Sequence, residues 1–423
     1  MSAYIVWGVL SLFYLFQFLL RIIINVINDQ IIIKYAVDAD AIGRFAGIWY
    51  VGYALFHIPV GLALDHLNPK KVVTSCIFIT ILGFIPIVYS NNFNLAILGR
   101  FFIGAGSSAS ALGAFKLLMI YFGEYKFPKM LGAMATIGLL GAALGTGPLE
   151  ILIKYYGWHK IMILLMCYGC FTMLVCCLCL PNNLDNHHFS FILFLDDLKH
   201  VLSKYQMLLF CLFGGLLIGP LEGFADAWSN KYLRVIYHFT HETAGKITTM
   251  VYLGMSIGLI ILGHIFEKTK SYYTLIITCG FALITSFSII ILQITHSVKV
   301  LMIIFFIMGF FSSYQIFILA KVMTTINRRY TTLMSAVANM IMMSCGFLFH
   351  RSIGKIIQHY NHIHINPHIF GMTVHIDSFF ISFMMINIAM IIGTIGITTI
   401  AISEFIRKKK NKISCSLQQS TYI

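Results

Sequence analysis

Apolar runs long enough to cross a bilayer alternate with short polar turns along almost the whole chain. A spanning helix needs about 20 residues, and the first set falls at 4–27, 43–64, 72–89, 93–121, 130–153 and 159–180. After a polar stretch at 181–206, a second set falls at 207–230, 245–266, 272–294, 298–323, 334–357 and 379–402. The pattern predicts an all-α integral membrane protein with twelve transmembrane helices and both termini on one side. It divides into six-helix halves at 1–180 and 207–402, a linker at 181–206 and a basic tail at 403–423. Within the linker, 195–202 is expected to form a short surface helix.

Polar residues inside these runs are not scattered. Tyr14, Gln17, Arg21 and Asn25 recur at three- and four-residue steps and share one face of the first helix. Arg21 lies about 25 Å along that helix at 1.5 Å per residue, which places it in the far half of the membrane. Glu222 and Asp226 stand four apart just beyond Pro220 in the seventh helix, hence on one face. Charge inside a membrane is costly and needs a partner or an aqueous cavity, so Arg21 and these acids are expected to meet. Arg100 and Lys116 in the fourth helix lie sixteen residues apart, about 160° around the axis, and so do not share a face. Lys116 has two readings, a cavity residue or one snorkelling to the near surface. Tyr50, Tyr53 and His57, Tyr314 and Gln315, and Asn339 are candidate lining; for the tyrosines, interhelix packing is the competing role.

Composition narrows the class. The chain is 59% hydrophobic and 10% charged, with mean hydropathy +0.86; a soluble protein would carry roughly 25% charged residues. The first apolar run is long enough to span and has no small-residue cleavage site behind it, which argues against a signal peptide. The net charge of +14 gathers on no soluble domain, so nucleic acid is not expected as a partner. Sixteen of the 29 Lys and Arg lie on the side of the termini, ten on the other and three inside the membrane. That bias predicts cytoplasmic termini. Richness in Ile, Phe, Lys and Asn suits an AT-rich genome, as in a host-dependent bacterium; a bacterial inner membrane is the expected location. The 10 cysteines read as small hydrophobes filling the core. The histidines from His359 to His375 read as a solvated loop, so no metal and no cofactor are expected. No nucleophile elbow or P-loop occurs, which argues against an enzyme.

Internal repetition carries the fold. Gly104-Ala-Gly-Ser107-Ser108 returns as Gly309-Phe-Phe-Ser312-Ser313 at an offset of 205, and Gly141 and Tyr155 return as Gly346 and Tyr360. Gly61-x-x-x-Asp65 returns as Gly263-x-x-x-Glu267 at 202. The 202 offset carries Arg21 to position 223, so the seventh-helix acids hold nearly its repeat-equivalent place.

The turn Gly61-Leu-Ala-Leu-Asp65-His66-Leu67-Asn68-Pro69-Lys70-Lys71 resembles the loop between helices two and three of the major facilitator superfamily, Gly-x-x-x-Asp-Arg-x-Gly-Arg-Lys. His66 stands for the Arg and Asn68 for the second Gly. The resemblance covers about residues 4–402 and implies the major facilitator fold of two parallel six-helix repeats, with a substrate site at their interface near the midplane. It makes Gly61, Asp65, Lys70, Lys71, Gly263 and Glu267 a cytoplasmic latch. Arg100-Phe-x-x-Gly104 resembles the fourth-helix arginine motif, and assigns Arg100 to proton coupling or gating. Ser107 stands where relatives that carry sugar acids often have a glutamate. Residues 138–148 resemble the Gly/Pro-rich motif of antiporters, although such residues also permit close packing in either transport direction.

Leu12-Phe-Tyr14 … Arg21, Gly113-Ala-Phe-Lys116, Gly219-Pro220-Leu-Glu222-Gly-Phe-Ala-Asp226-Ala-Trp228 and Asn339-Met340 … Gly346 resemble the phagosomal amino-acid transporters of intracellular bacteria, and more distantly the animal lysosomal dipeptide transporter. His350-Arg351 replaces the Gln-Pro expected there. The resemblance implies a monomeric secondary transporter working by alternating access, most simply proton-coupled uptake of a small zwitterionic or carboxylate metabolite, an amino acid or short peptide first. Arg21 would hold the carboxylate; Glu222 and Asp226 would hold ammonium or the driving proton, or close a gate with Arg21. Efflux of amphipathic or cationic compounds and a ligand sensor without flux are the alternatives.

Overall fold

The computed structural model describes residues 3–181, 191–269, 271–327, 330–360, 368–369, 372–373 and 376–420. The expectations for Lys270, Arg328, Arg329, His362, His364 and His375, and for the side chains of Asp65, His368 and residues 408–410, lie outside that description.

Ten helices are long and apolar enough to span a membrane, and twelve if two bent pairs each count as one. They fall on the twelve predicted runs. Unbroken in this sense are Ala3–Ile22, Ala39–Leu64, Pro69–Tyr89, Phe93–Gly123, Trp158–Cys179, His241–Thr269, Tyr272–Ile291, Val298–Thr325, Leu333–His359 and Ser378–Arg407. The fifth span bends by 42° between Lys129–Leu144 and Gly147–Tyr156, and the seventh by 49° between Tyr205–Leu216 and Gly219–Ala225. The sequence reading drew both as straight helices. Proline explains the departures: Pro148 and Pro220 each stand in the first turn of the second piece, where a ring without an N–H is tolerated and the preceding helix is stopped. The remaining elements are Ile24–Tyr35 after the first span, Ser229–Tyr237 after the seventh, a linker helix at Phe191–Leu202 and a two-residue antiparallel pairing of His368–Ile369 with Met372–Thr373.

The turn between the second and third helices follows from its residues. The Asn68 side chain accepts from the Lys70 N–H at 2.9 Å, and Pro69 opens the third helix. Gly157 turns the chain from the fifth to the sixth helix at φ 81°, a conformation that favours glycine.

The first six helices meet the last six along two seams, the second helix against the eleventh and the fifth against the eighth. Both seams close on glycine pairs. A Cβ on Gly245 would lie 2.9 Å from Gly147 Cα, and one on Gly354 would lie 3.0 Å from Gly43 Cα. Gly43 and Gly245 are 202 apart, so one packing solution is used at repeat-equivalent places. Both pairs sit toward the side away from the termini.

Candidate functional site

Arg21 closes the first helix, Ala3–Ile22, before the chain continues as Ile24–Tyr35. The last carbonyls of a helix lack partners within it. Here Arg100 supplies them, with Nη1 donating to the Leu20 carbonyl at 2.6 Å and Nη2 to that of Arg21 at 2.8 Å. The fourth helix thus pins the turn that carries Arg21. Arg100, which the resemblance assigns to coupling or gating, makes these hydrogen bonds to the first-helix backbone.

The Arg21 side chain is buried and points across to the seventh helix. Its Nε lies 3.0 Å from Asp226 Oδ2 and its Nη1 3.5 Å from Glu222 Oε1, with the guanidinium 4.7 Å from the Phe18 ring centre. Both acids belong to a widened helical turn, in which the Asp226 N–H donates to the Leu221 carbonyl five residues back. Such π turns cluster at functional sites. The two carboxylates are not held alike. Tyr50 donates to Asp226 Oδ2 at 2.5 Å and Tyr252 to Oδ1 at 2.7 Å. Glu222 is fully buried, and its Oε2 has no hydrogen-bond partner. Gln17 Oε1 and Gln315 Nε2 are likewise buried without partners. They are among several buried side-chain atoms without hydrogen-bond partners among the described residues, Arg21 Nε and Nη2 included, where nearly all buried polar groups are paired.

The other candidate residues divide. His57 Nε2 and Asn339 Nδ2 meet at 2.9 Å across the second–eleventh seam, with Tyr53 stacked between His57 and Trp49 at 4.5 and 4.9 Å. Tyr14 packs on Phe18. Tyr314 donates to the Gly214 carbonyl at 2.8 Å, at the end of the first piece of the seventh span. Lys116 Nζ donates to the Leu64 carbonyl, which ties the fourth helix to the end of the second and settles it away from the Arg21 cluster. Of the latch residues, Gly263 faces open space and Gly61 lies against Leu112, whose Cδ1 would be 3.9 Å from an added Cβ. Lys70, Lys71 and Glu267 make no ion pair with the described residues.

Asn25 belongs to a layer that the sequence reading did not foresee. Its Nδ2 donates to the Ala225 carbonyl at 2.8 Å and to Ser229 Oγ at 3.0 Å, and its Oδ1 accepts from the Asn230 N–H at 3.1 Å. Around it Glu150 receives Asn230 Nδ2 at 3.2 Å and His241 Nδ1 at 2.7 Å. Arg234 Nη1 lies 2.5 Å from Asp29 Oδ2, and Thr146 and Thr249 meet at 2.7 Å. Every one of these bonds joins the first six helices to the last six, and together they seal the side away from the termini above Arg21. Cavities of about 770 and 650 Å³ lie on that face, the first lined by Lys231, His238 and Asp377 and the second by Glu150 and His241. Neither is lined by Arg21, Glu222 or Asp226.

Replacing Asn25 with alanine removes three cross-seal contacts, roughly 2–3 kcal/mol at about 1 kcal/mol each. The population open on that side is expected to rise about tenfold or more. Distances between spin labels at Ile33→Cys and Val235→Cys, in a background cleared of native cysteines, would measure it. An unchanged distance distribution would mean that the layer does not hold the seal.

Comparison with known proteins agrees with this architecture. Over 179 residues the chain is 27% identical to an uncharacterized transporter of Buchnera aphidicola subsp. Acyrthosiphon pisum (strain APS), a match covering 40% of this chain and 44% of that protein. The chain therefore spans under half the length of the curated relative it matches. Among solved structures, the nucleoside transporter NupG superposes with TM-score 0.70 at 13% identity, covering 95% of this chain and 99% of that one. A bacterial homologue of the human lysosomal transporter Spinster, inward-facing and unoccupied, gives 0.68 at 14%, covering 94% and 95%. A D-xylose–proton symporter gives 0.71 at 9%, covering 95% and 97%. At such identities these likenesses speak for the fold alone. The model of the Major Facilitator Superfamily matches residues 10–350, and on that match the chain belongs to the superfamily.

Proposed function

We propose that this protein is a secondary transporter that takes up a small zwitterion, an amino acid or short peptide, coupled to protons by alternating access. The observation that carries the reading is the buried cluster of one arginine with two carboxylates, Arg21 against Glu222 and Asp226, contributed by opposite sides of the seam. A zwitterion supplies one carboxylate and one ammonium, so it can replace the internal pairing charge for charge. A monoanion or a simple amine would leave one member of the cluster unmatched, at the high cost of an uncompensated buried charge. The second carboxylate exceeds what one arginine neutralises, which gives the site a place for a proton. Breaking the Arg21 pairs also removes a link between the two sets of helices directly beneath the seal, so occupancy weakens what holds the two sets together.

Uptake into proteoliposomes, with and without an inward proton gradient, tests this across matched zwitterions, monocarboxylates and amines. The expected result is gradient-enhanced accumulation of zwitterions alone. Glu222→Gln is expected to lose gradient-driven accumulation while Arg21→Ala loses uptake altogether. Intact transport by both variants would sink the site, and equal uptake of monocarboxylates would reduce Arg21 to an anion site with the acids as gate. Export of cations by the same vesicles would favour the efflux reading.

A further inference from the structure

The two carboxylates of the cluster are built for different tasks. Asp226 is enclosed by donors: Arg21 from the first helix, Tyr50 from the second and Tyr252 from the eighth. Each of its oxygens receives a phenol hydroxyl, and Oδ2 also faces the guanidinium. Such charge-assisted bonds are strong and short. Glu222 has one guanidinium contact at 3.5 Å and a buried oxygen with no partner. The titratable and charged groups facing Asp226 are Arg21, Tyr50, Arg100, Glu222 and Tyr252. Those facing Glu222 are Arg21, Tyr50, Tyr53, Asp226, Tyr252, Tyr314 and Cys345, with neutral Gln315 also nearby.

The tyrosines are not an arbitrary pair. They stand 202 residues apart, the offset relating the second helix to the eighth, and so are repeat equivalents converging on one carboxylate. Tyr252 shares the last six helices with Asp226 and keeps its bond when the two sets of helices move apart; Tyr50 reaches across the seam.

We propose that Tyr50 and Tyr252 are positioning residues that fix Asp226 as a permanent anion, leaving Glu222 as the single carboxylate that exchanges its charge with a proton or a substrate ammonium. This rests on the reading of the cluster as the transport site, and it assigns within that site which acid moves charge. Asp226 is then the counter-ion to which Arg21 returns in each cycle. Glu222, with an oxygen left open, is the group that loads and unloads.

Infrared difference spectroscopy of the purified protein in lipid, titrated across pH without substrate, separates the assignment from the transport reading. The protonated-carboxyl band that appears on acidification is expected to lose a component in Glu222→Gln and none in Asp226→Asn. In the double variant Tyr50→Phe with Tyr252→Phe, which keeps both rings, a second component is expected, and it should vanish when Asp226→Asn is added. Loss of the wild-type component in Asp226→Asn rather than Glu222→Gln would overturn the proposal, as would a double variant with an unchanged spectrum. A simple packing role for the tyrosines would alter thermal stability but leave the carboxyl band where it was. If the spectra follow the expectation while vesicles carry no zwitterion, the assignment stands and the substrate reading fails.

Discussion

Replacing Arg21 with alanine is expected to cost the folded protein about 3–5 kcal/mol, the range for stripping one partner from a buried ion pair, and to abolish transport. The loss is large because two carboxylates depend on one guanidinium and neither has water to turn to: Glu222 is 0% exposed and Asp226 1%. Neutralising the whole cluster should behave differently. In Arg21→Leu with Glu222→Gln and Asp226→Asn, no buried charge remains in the triad, and similar side-chain volumes are kept. That variant is expected to recover most of the stability and none of the transport. Thermal unfolding in detergent and zwitterion uptake in vesicles together check this. A single Arg21→Ala variant as stable as the parent would show that the acids find other partners, and the clamp would lose its physical basis.

The same cluster shows why part of the site was legible in the sequence. A charge in an apolar run has few reasons to be there, so Arg21, Glu222 and Asp226 stood out singly, and the repeat offset placed them opposite one another. Tyr252 carried no comparable signal. Tyrosines are common at helix interfaces, and only Tyr50 at the 202 offset marks it, a clue usable once the bond to Asp226 is known. The seal was hidden for another reason. Asp29, Glu150, Arg234 and His241 lie near helix ends, where polar residues ordinarily meet water, and what distinguishes them is a partner on the other set of helices. The bonds Arg100 makes were not legible from its charge, since a guanidinium can serve carbonyl groups as readily as carboxylates. The bends at Pro148 and Pro220 were visible as prolines, yet continuous hydropathy hid the break that each one starts.

The glycines shared between the two repeats carry the second large expectation, that Gly309→Ala and Gly104→Ala each destabilise the fold and displace the tyrosine beside them. A Cβ on Gly104 would lie 2.1 Å from the Trp49 carbonyl oxygen, and one on Gly309 1.8 Å from that of Val251. Trp49 and Val251 are again 202 apart. Because the obstructing atom is backbone, no side chain can swing away and the helices themselves must separate. Overpacking typically costs about 1–3 kcal/mol, and a rigid obstacle puts these sites at or above the top of that range. Gly263→Ala is the control, because nothing lies within 4 Å of its added methyl and alanine gains up to about 1 kcal/mol in helix propensity. Heating in the presence of a thiol-reactive fluorophore would report unfolding through the buried Cys76, Cys211, Cys279 and Cys345. Tyr50 and Tyr252 each follow one of those obstructing carbonyls by a single residue, so prying the second helix from the fourth, or the eighth from the tenth, moves one of the two hydroxyls that hold Asp226. Gly104→Ala and Gly309→Ala should therefore lower both melting temperature and uptake, while Gly263→Ala leaves the melting temperature no lower. Equal melting of Gly309→Ala and the parent would mean that the crossing has slack, and the link from repeat packing to the held carboxylate would fail with it.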